Sequence, residues 1–125
     1  MEKMALHMNE SSTLSDIQTD FSLEYPFLKM DLLKEVRDRL GWMTGMEKML
    51  PGEKMFPFYR GTVNNTVSIH FDKTVNQLIR EMEQLLDIKV RVLRRSGNVW
   101  IETTLTTDWT LEQQNSEGRF LSGLH

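Results

Sequence analysis

The sequence predicts one α+β domain of the ferredoxin-like type, in which a strand–helix–strand unit occurs twice. Two segments with a helical spacing of apolar residues begin with the same capping pattern, at Thr13 and at Thr74. Each segment is preceded and followed by alternating apolar and polar residues, which is typical of strands with one buried face. The chain has 125 residues, enough for a single domain with its own core.

The first unit spans about residues 3–34 and the second about residues 66–95. The apolar stripes of their helices are Leu14, Ile17, Phe21 and Tyr25, and then Val75, Leu78, Met82, Leu85 and Leu86. Pro26 ends the first helix, because proline disfavours helical geometry in the residue before it. Alternation predicts strands at residues 4–8 and 28–32 in the first unit, and at 67–71 and 88–92 in the second.

A hairpin and a short helix are predicted after the second unit. Ser96-Gly97-Asn98 separates two strand-like runs, so an added strand is expected at residues 98–104. A third capping pattern at Thr110 predicts a short helix over 110–115, followed by a frayed tail from Gly118. Counted along the chain, the expected strand order is 5-4-1-3-2. A β-grasp-like second half is the alternative, because the connection between the units is long.

That connection, residues 35–65, is treated as an insertion. Helical spacing of Leu33, Val36 and Leu40 competes with the preceding strand, which is favoured because its counterpart at 88–92 is clear. Thr44 and Glu47 suggest the start of a short helix. The insertion either covers the second face of the sheet or forms a surface for a partner. The residues of that partner surface would be Trp42, Met43, Met46, Met49, Phe56 and Phe58.

Composition and motifs exclude several kinds of chemistry. The chain has no cysteine, which rules out disulfides, thiolate zinc sites and cysteine nucleophiles. A net charge of −3 does not favour general attraction to nucleic acid or to anionic membranes. No signal peptide or membrane span is expected. Neither a nucleophile elbow nor a glycine-rich phosphate loop is present, so we predict no catalytic residue, cofactor or metal.

A basic cluster supports nucleic-acid binding as an alternative function. Its residues are Lys89, Arg91, Arg94 and Arg95 on or after one strand, with Trp100 on the neighbouring strand. Arginine beside an exposed aromatic residue on a sheet is a common way to hold single-stranded bases. RNA-recognition sheets carry aromatic residues on their central strands, where this chain has Ala5, His7, Ser68 and His70. A solvated edge that resists pairing with other sheets is the simpler interpretation.

The histidines offer a second alternative, a small enzyme. His7 and His70 lie in equivalent predicted strands, opposite in parity to the apolar residues, and His125 stands at the C-terminus. A shared proton or metal site would require the rings of His7 and His70 to lie within reach of each other. No histidine pair has the spacing of a known metal motif, which favours two surface histidines.

Two stretches of the sequence carry a family resemblance. One is Arg95-Ser96-Gly97-Asn98-Val99-Trp100, followed by Glu102-Thr103-Thr104, and the other is Asp16-Ile17-Gln18 with Tyr25-Pro26-Phe27-Leu28-Lys29. With them, most of the chain outside residues 34–65 resembles a group of small uncharacterised bacterial proteins of the Bacteroidota type. The resemblance implies a bacterial, cytoplasmic, stand-alone domain and supplies no catalytic residues. The favoured hypothesis is a non-enzymatic interaction or assembly module that binds a protein partner or itself.

Overall fold

The computed structural model describes residues 4–123 and confirms the α+β class. The elements in order are β1 (Ala5–Met8), α1 (Leu14–Glu24), β2 (Leu28–Arg37), β3 (Met43–Lys48), β4 (Asn65–Ser68), α2 (Val75–Leu85), β5 (Lys89–Ser96), β6 (Val99–Glu102) and α3 (Leu111–Leu121). Short 3₁₀ turns lie at Phe56–Phe58 and at Thr104–Thr106. The strand and helix boundaries of the two predicted units agree with the sequence pattern to within a few residues.

The strands pair differently from a ferredoxin-like sheet. β1 and β4 form a two-stranded antiparallel ribbon, and the other strands form a sheet in the order β3-β2-β5-β6. The expected order 5-4-1-3-2 would place all five predicted strands in one sheet, with the strand that is now β4 beside β2. Both edges of β2 are already occupied, by β3 and by β5, so β4 has no edge of β2 to pair with.

The registers relate two halves of the chain by a two-fold rotation. Half one is residues 5–58 and half two is residues 65–121. Leu6 lies opposite Val67 in the ribbon, and Asp31 lies opposite Arg91 in the sheet. Each is a pair of corresponding positions when the helix-capping threonines are aligned and one residue is allowed for at Pro26. Each of these strands therefore pairs with its counterpart in the other half, β1 with β4 and β2 with β5. A duplication of the sequence itself stays a prediction.

Each half contributes one hairpin to the sheet, β2–β3 (hairpin one) and β5–β6 (hairpin two). β3 lies inside the segment treated as an insertion, and it pairs with β2 as β6 pairs with β5. The helix expected at Thr44–Glu47 is wrong, because these residues belong to β3 and the Thr44 hydroxyl donates to the Val36 carbonyl at 3.1 Å. The segment thus widens the sheet at its edge instead of covering its second face.

The helices pack on one face of the four-stranded sheet and enclose a single core. α1 and α2 begin at the predicted capping boxes, in which Thr13 exchanges hydrogen bonds with Asp16 and Thr74 with Gln77. Burial of each large apolar side chain stabilises the fold by about 1.5–3 kcal/mol. The largest fully buried side chains are Leu6, Met8, Leu14, Ile17, Phe21, Leu28, Met30, Leu32, Met55, Ile69, Leu78 and Met82.

α3 is longer than predicted and packs against β5 and β2. The helix continues through Gly118 to Leu121, where a frayed tail was expected. Gly118 is buried, and a Cβ atom there would lie 2.9 Å from the Phe27 Cβ and 3.1 Å from the Arg94 Cγ. The missing side chain at Gly118 is what lets the helix lie this close to the sheet. His125 lies outside the described residues.

Candidate interaction surfaces

Hairpin one extends beyond the body of the sheet. β2 pairs with β5 from Leu28 to Leu33, whereas its pairing with β3 runs from Leu33 to Arg37. In residues 34–37, β2 therefore has β3 on one side and no strand of the described chain on the other. We call residues 34–47 the hairpin arm.

The tip of the hairpin arm is a well-bonded turn. The Asp38 carboxylate accepts hydrogen bonds from the backbone amides of Leu40 at 2.9 Å and Trp42 at 3.0 Å. The Arg37 guanidinium donates to the Gly41 carbonyl at 2.8 Å. Gly41 has a φ of +86°, which glycine adopts without strain. These three hydrogen bonds tie the residues of the tip to one another.

This turn presents apolar side chains to solvent. Leu40 is 82% exposed, Trp42 70% and Met43 56%. A single exposed apolar residue is ordinary, but adjacent ones on a fixed turn are typical of binding surfaces. The sequence pattern identified Trp42 and Met43, and it missed Leu40 because the spacing of Leu40 matched a competing helix.

The other residues of the predicted partner surface are divided between surface and core. Met46 and Phe56 are exposed, and Phe58 is partly buried against the core. Met49 is only 4% exposed, so it belongs to the core and the prediction for it is corrected. The cause is local, since the Met49 amide donates to the Leu32 carbonyl at 2.9 Å and ties the end of hairpin one to the sheet.

A second candidate surface is the open face, the side of the four-stranded sheet that points away from the helices. Strand alternation places Lys89, Arg91 and Arg95 on this face, and Trp100 lies opposite Arg95 on β6. The Arg95 guanidinium lies 5.6 Å from the centroid of the Trp100 ring, and the Lys29 ammonium lies 6.0 Å from it. Arg95 and Trp100 of the predicted basic cluster are therefore neighbours, and Lys29, which the prediction did not include, lies beside them.

Arg94 is separated from that cluster. It points to the helix side, where Nη1 donates to the Gln114 side-chain oxygen at 2.9 Å. Its guanidinium also lies 5.6 Å from the centroid of the Trp109 ring. Arg94 thus joins the sheet to α3, a placement that strict alternation along β5 already indicates.

Carboxylates neutralise part of the open face. Asp31 is buried there, with its oxygens 3.2 Å from the Lys48 ammonium and 3.9 Å from that of Lys29. Arg91 lies 2.9 Å from Glu102. Among the ion pairs of residues 4–123, none includes Lys89, whose charge is therefore available to a ligand.

The structure does not bring His7 and His70 together. The His7 Nδ1 lies 3.2 Å from the Thr66 hydroxyl. His70 follows Thr66 by four residues, about 13 Å at the rise of a strand, and lies beyond the end of β4. Both histidines are exposed, and no group of three metal-binding side chains occurs within the described part of the chain.

A cleft that no sequence motif indicates opens between α2 and β5, at the point where β6 ends. Its volume is about 290 Å³. The lining residues come from α2, β5, the last residue of β6 and the segment after it: Ile79, Lys89, Val90, Arg91, Val92, Glu102, Thr103, Thr104 and Thr107.

Over residues 4–123, no helix combines the length and the apolar character needed to cross a bilayer. Comparison with protein-family models, with curated proteins and with solved structures found no match to this chain. Its function must therefore be inferred from the surfaces described above.

Proposed function

We propose that this domain is a non-enzymatic protein-binding module and that the hairpin arm is its binding element. The supporting observation is the turn that holds Leu40 and Trp42 in solvent through Asp38 and Arg37. A preorganised turn loses little conformational entropy when a partner binds. Tryptophan is also among the residues that most often dominate the energy of protein interfaces.

The backbone of the arm adds a second means of contact. β3 is an edge strand, and Met43, Thr44, Met46, Glu47 and Lys48 along it are all exposed. An exposed edge accepts an added strand through main-chain hydrogen bonds. The partner is a different protein or a second copy of this chain, and the test below separates the two. The bacterial, cytoplasmic setting that the resemblance implies stays a prediction.

Site-specific photo-crosslinking tests the proposal. A benzophenone amino acid placed at Leu40 should give a discrete adduct in the native host. The matched control is Leu105, which is 98% exposed but lies in the 3₁₀ turn after β6. An adduct at twice the mass of the chain identifies self-association, and another discrete mass identifies a different partner. Identical adducts at Leu40 and Leu105, or none at Leu40, would contradict a binding role for the arm.

Nucleic-acid binding through the open face is a second candidate function. It is supported by the placement of Arg95 and Lys29 against Trp100, an arrangement that suits base stacking next to phosphate contacts. Titration with single-stranded RNA and DNA at low salt should show binding that Arg95→Glu weakens. Arg80→Glu, an equal charge change on α2, should leave binding unchanged. Equal effects of the two substitutions would rule out this use of the face.

A further inference from the structure

The cleft beside β5 exposes part of a strand edge. β6 pairs with β5 only from Leu93 to Ser96, so the outer edge of β5 is uncovered by β6 at residues 89–92. The volume of about 290 Å³ is near the lower end for ligand-binding cavities, which suits a short peptide segment better than a large cofactor.

Val90 and Val92 place four backbone groups on this edge of β5, and two of the four already have partners. The Val90 amide donates to the Glu83 carboxylate at 2.8 Å, and the Val92 carbonyl accepts from the Thr103 amide at 3.2 Å and its hydroxyl at 2.8 Å. The Val90 carbonyl and the Val92 amide point to the same side, as strand geometry requires. The hydrogen bonds found within residues 4–123 on this edge engage neither group.

The corresponding place in half one is closed by the chain itself. Counted from the capping threonines, Gln18 corresponds to Ile79, and Met30 corresponds to Val90. The Gln18 side-chain amide donates to the Met30 carbonyl at 2.9 Å. Isoleucine has no such donor, so the Val90 carbonyl is left without this contact in half two.

A second sequence difference between the two halves widens the cleft. Thr103 occupies in half two the position that the larger, buried Met49 has in half one, since both amides donate to the second of the two strand carbonyls. The cleft therefore results from two differences between the halves. Half two has the apolar Ile79 where half one has Gln18, and it has the smaller Thr103 where half one has Met49.

We propose that this cleft binds one residue of an extended peptide that runs parallel to β5. The N–H of that residue donates to the Val90 carbonyl, and its C=O accepts from the Val92 amide, which is the bonding of a parallel strand pair. This site is on a different edge of the sheet from the hairpin arm, so it extends the proposed function without depending on it.

The surrounding charges select the peptide. A residue bonded in this way points its side chain to the open face, beside Arg91 and Lys89, so an acidic residue is favoured. Lys89 is available for this contact, whereas Arg91 would be shared with Glu102. The residues before and after it point toward Ile79, which favours small apolar side chains.

Amide NMR with matched tripeptides tests the site. The probe is acetyl-Val-Asp-Val-methylamide, and its central N-methyl analogue cannot donate to the Val90 carbonyl. We expect the probe to move the Val92 amide proton downfield in a saturable way, and the analogue to bind about fivefold more weakly. Replacing the central Asp of the probe by Lys should also weaken binding.

Variants of Ile79 provide a second, independent test. Ile79→Gln should close the cleft as Gln18 closes its counterpart and abolish the response, while Ile79→Leu should retain it. A dispersed amide spectrum shows that each variant is folded. Equal binding of the probe and its N-methyl analogue, or an unmoved Val92 resonance, would overturn the proposal. So would a Val92 shift that follows protein concentration without peptide, because a second copy would then fill the cleft.

Discussion

Hairpin one and hairpin two occupy corresponding places in the two halves, yet only half two follows its hairpin with a further helix that packs against it. α3 packs against β5, and the absence of a side chain at Gly118 brings it within contact of Phe27 and Arg94. In half one the place of α3 in the chain is taken by the three-residue turn Phe56–Phe58. The same pair of strands is thus part of the body of the protein in one half and an exposed arm in the other.

The residues at the base of each hairpin show how the support differs. Arg94 and Lys34 correspond in position. Arg94 donates to Gln114, a fully buried side chain whose own amide donates to the Thr106 carbonyl at 2.8 Å. Lys34 lies 2.5 Å from Glu53 and 3.6 Å from Glu47, in an ion-pair cluster open to water. Hairpin two is held by a buried polar network, and hairpin one by ion pairs that solvent weakens.

Met49 and Thr103, which close the ends of the two hairpins, should give the largest difference. Met49→Ala removes a buried side chain and should lower the free energy of unfolding by about 3 kcal/mol. Thr103→Ala removes one hydroxyl hydrogen bond and should cost about 1 kcal/mol. Urea denaturation of both variants checks this, and equal losses would mean that Met49 is not a core residue.

The helix contact of hairpin two should give the next largest effect. Gly118→Val would force α3 away from the sheet and cost about 2 kcal/mol in the free energy of unfolding. Gly45→Val on β3 is the matched control, because no atom lies within 4 Å of its added Cβ. It should change stability by less than about 0.5 kcal/mol. Comparable losses for the two variants would show that hairpin one is also covered.

Acid should loosen hairpin one and leave hairpin two intact. The hydrogen bond from Lys34, helped by the Leu50 amide, holds the pKa of Glu53 below its ordinary 4.5. A folded-state pKa that is lowered gives stability above the unfolded value and loses it as the pH falls through the folded value. At pH values below about 4.5, the amides of β3 should therefore lose protection from exchange, while those of β6 should keep it. Glu53→Gln should abolish the pH dependence; if β3 and β6 lose protection together, Glu53 is not the cause.

Removing the Trp42 side chain from the tip of the hairpin arm should have the smallest effect on stability. Trp42→Ala should change the free energy of unfolding by less than about 0.5 kcal/mol, because its side chain is largely exposed. The same substitution should remove the crosslink from Leu40 if the arm binds a partner. Thermal unfolding measures the first effect, and a loss above about 1 kcal/mol would show that Trp42 packs against the domain.

Much of the local structure could be predicted because it depends on residues near each other in the chain. The capping pairs of Thr13 with Asp16 and of Thr74 with Gln77 mark both helix starts, and Gly97 marks the turn of hairpin two. The expected order placed β1 beside β4, as observed, but the pairing of β2 with β5 could not be predicted in this way. Alternation shows which face of a strand is buried, and it says nothing about which strand lies beside it.

The candidate surfaces could likewise be predicted only where they depend on residues near each other in the chain. Alternation along β5 is enough to place Lys89 and Arg95 on one face and Arg94 on the other. Met49 could not be distinguished from Met43 in the sequence, because methionine suits a core and a binding surface equally well. The cleft depends on Ile79 standing where half one has Gln18, and this correspondence acquires a meaning only when both positions are seen beside their strands.

The two-fold arrangement of the strands has a consequence for synthesis on the ribosome. Each hairpin closes over a few residues, whereas the contacts of β1 with β4 and of β2 with β5 join residues about 60 apart. These late contacts carry most of the loop-closure entropy, so docking of half two onto half one should limit the folding rate. A nascent chain carries both edges of β1 unpaired until β4 has emerged, and one edge of β2 unpaired until β5 has followed. This is the interval in which the protein most needs protection from aggregation.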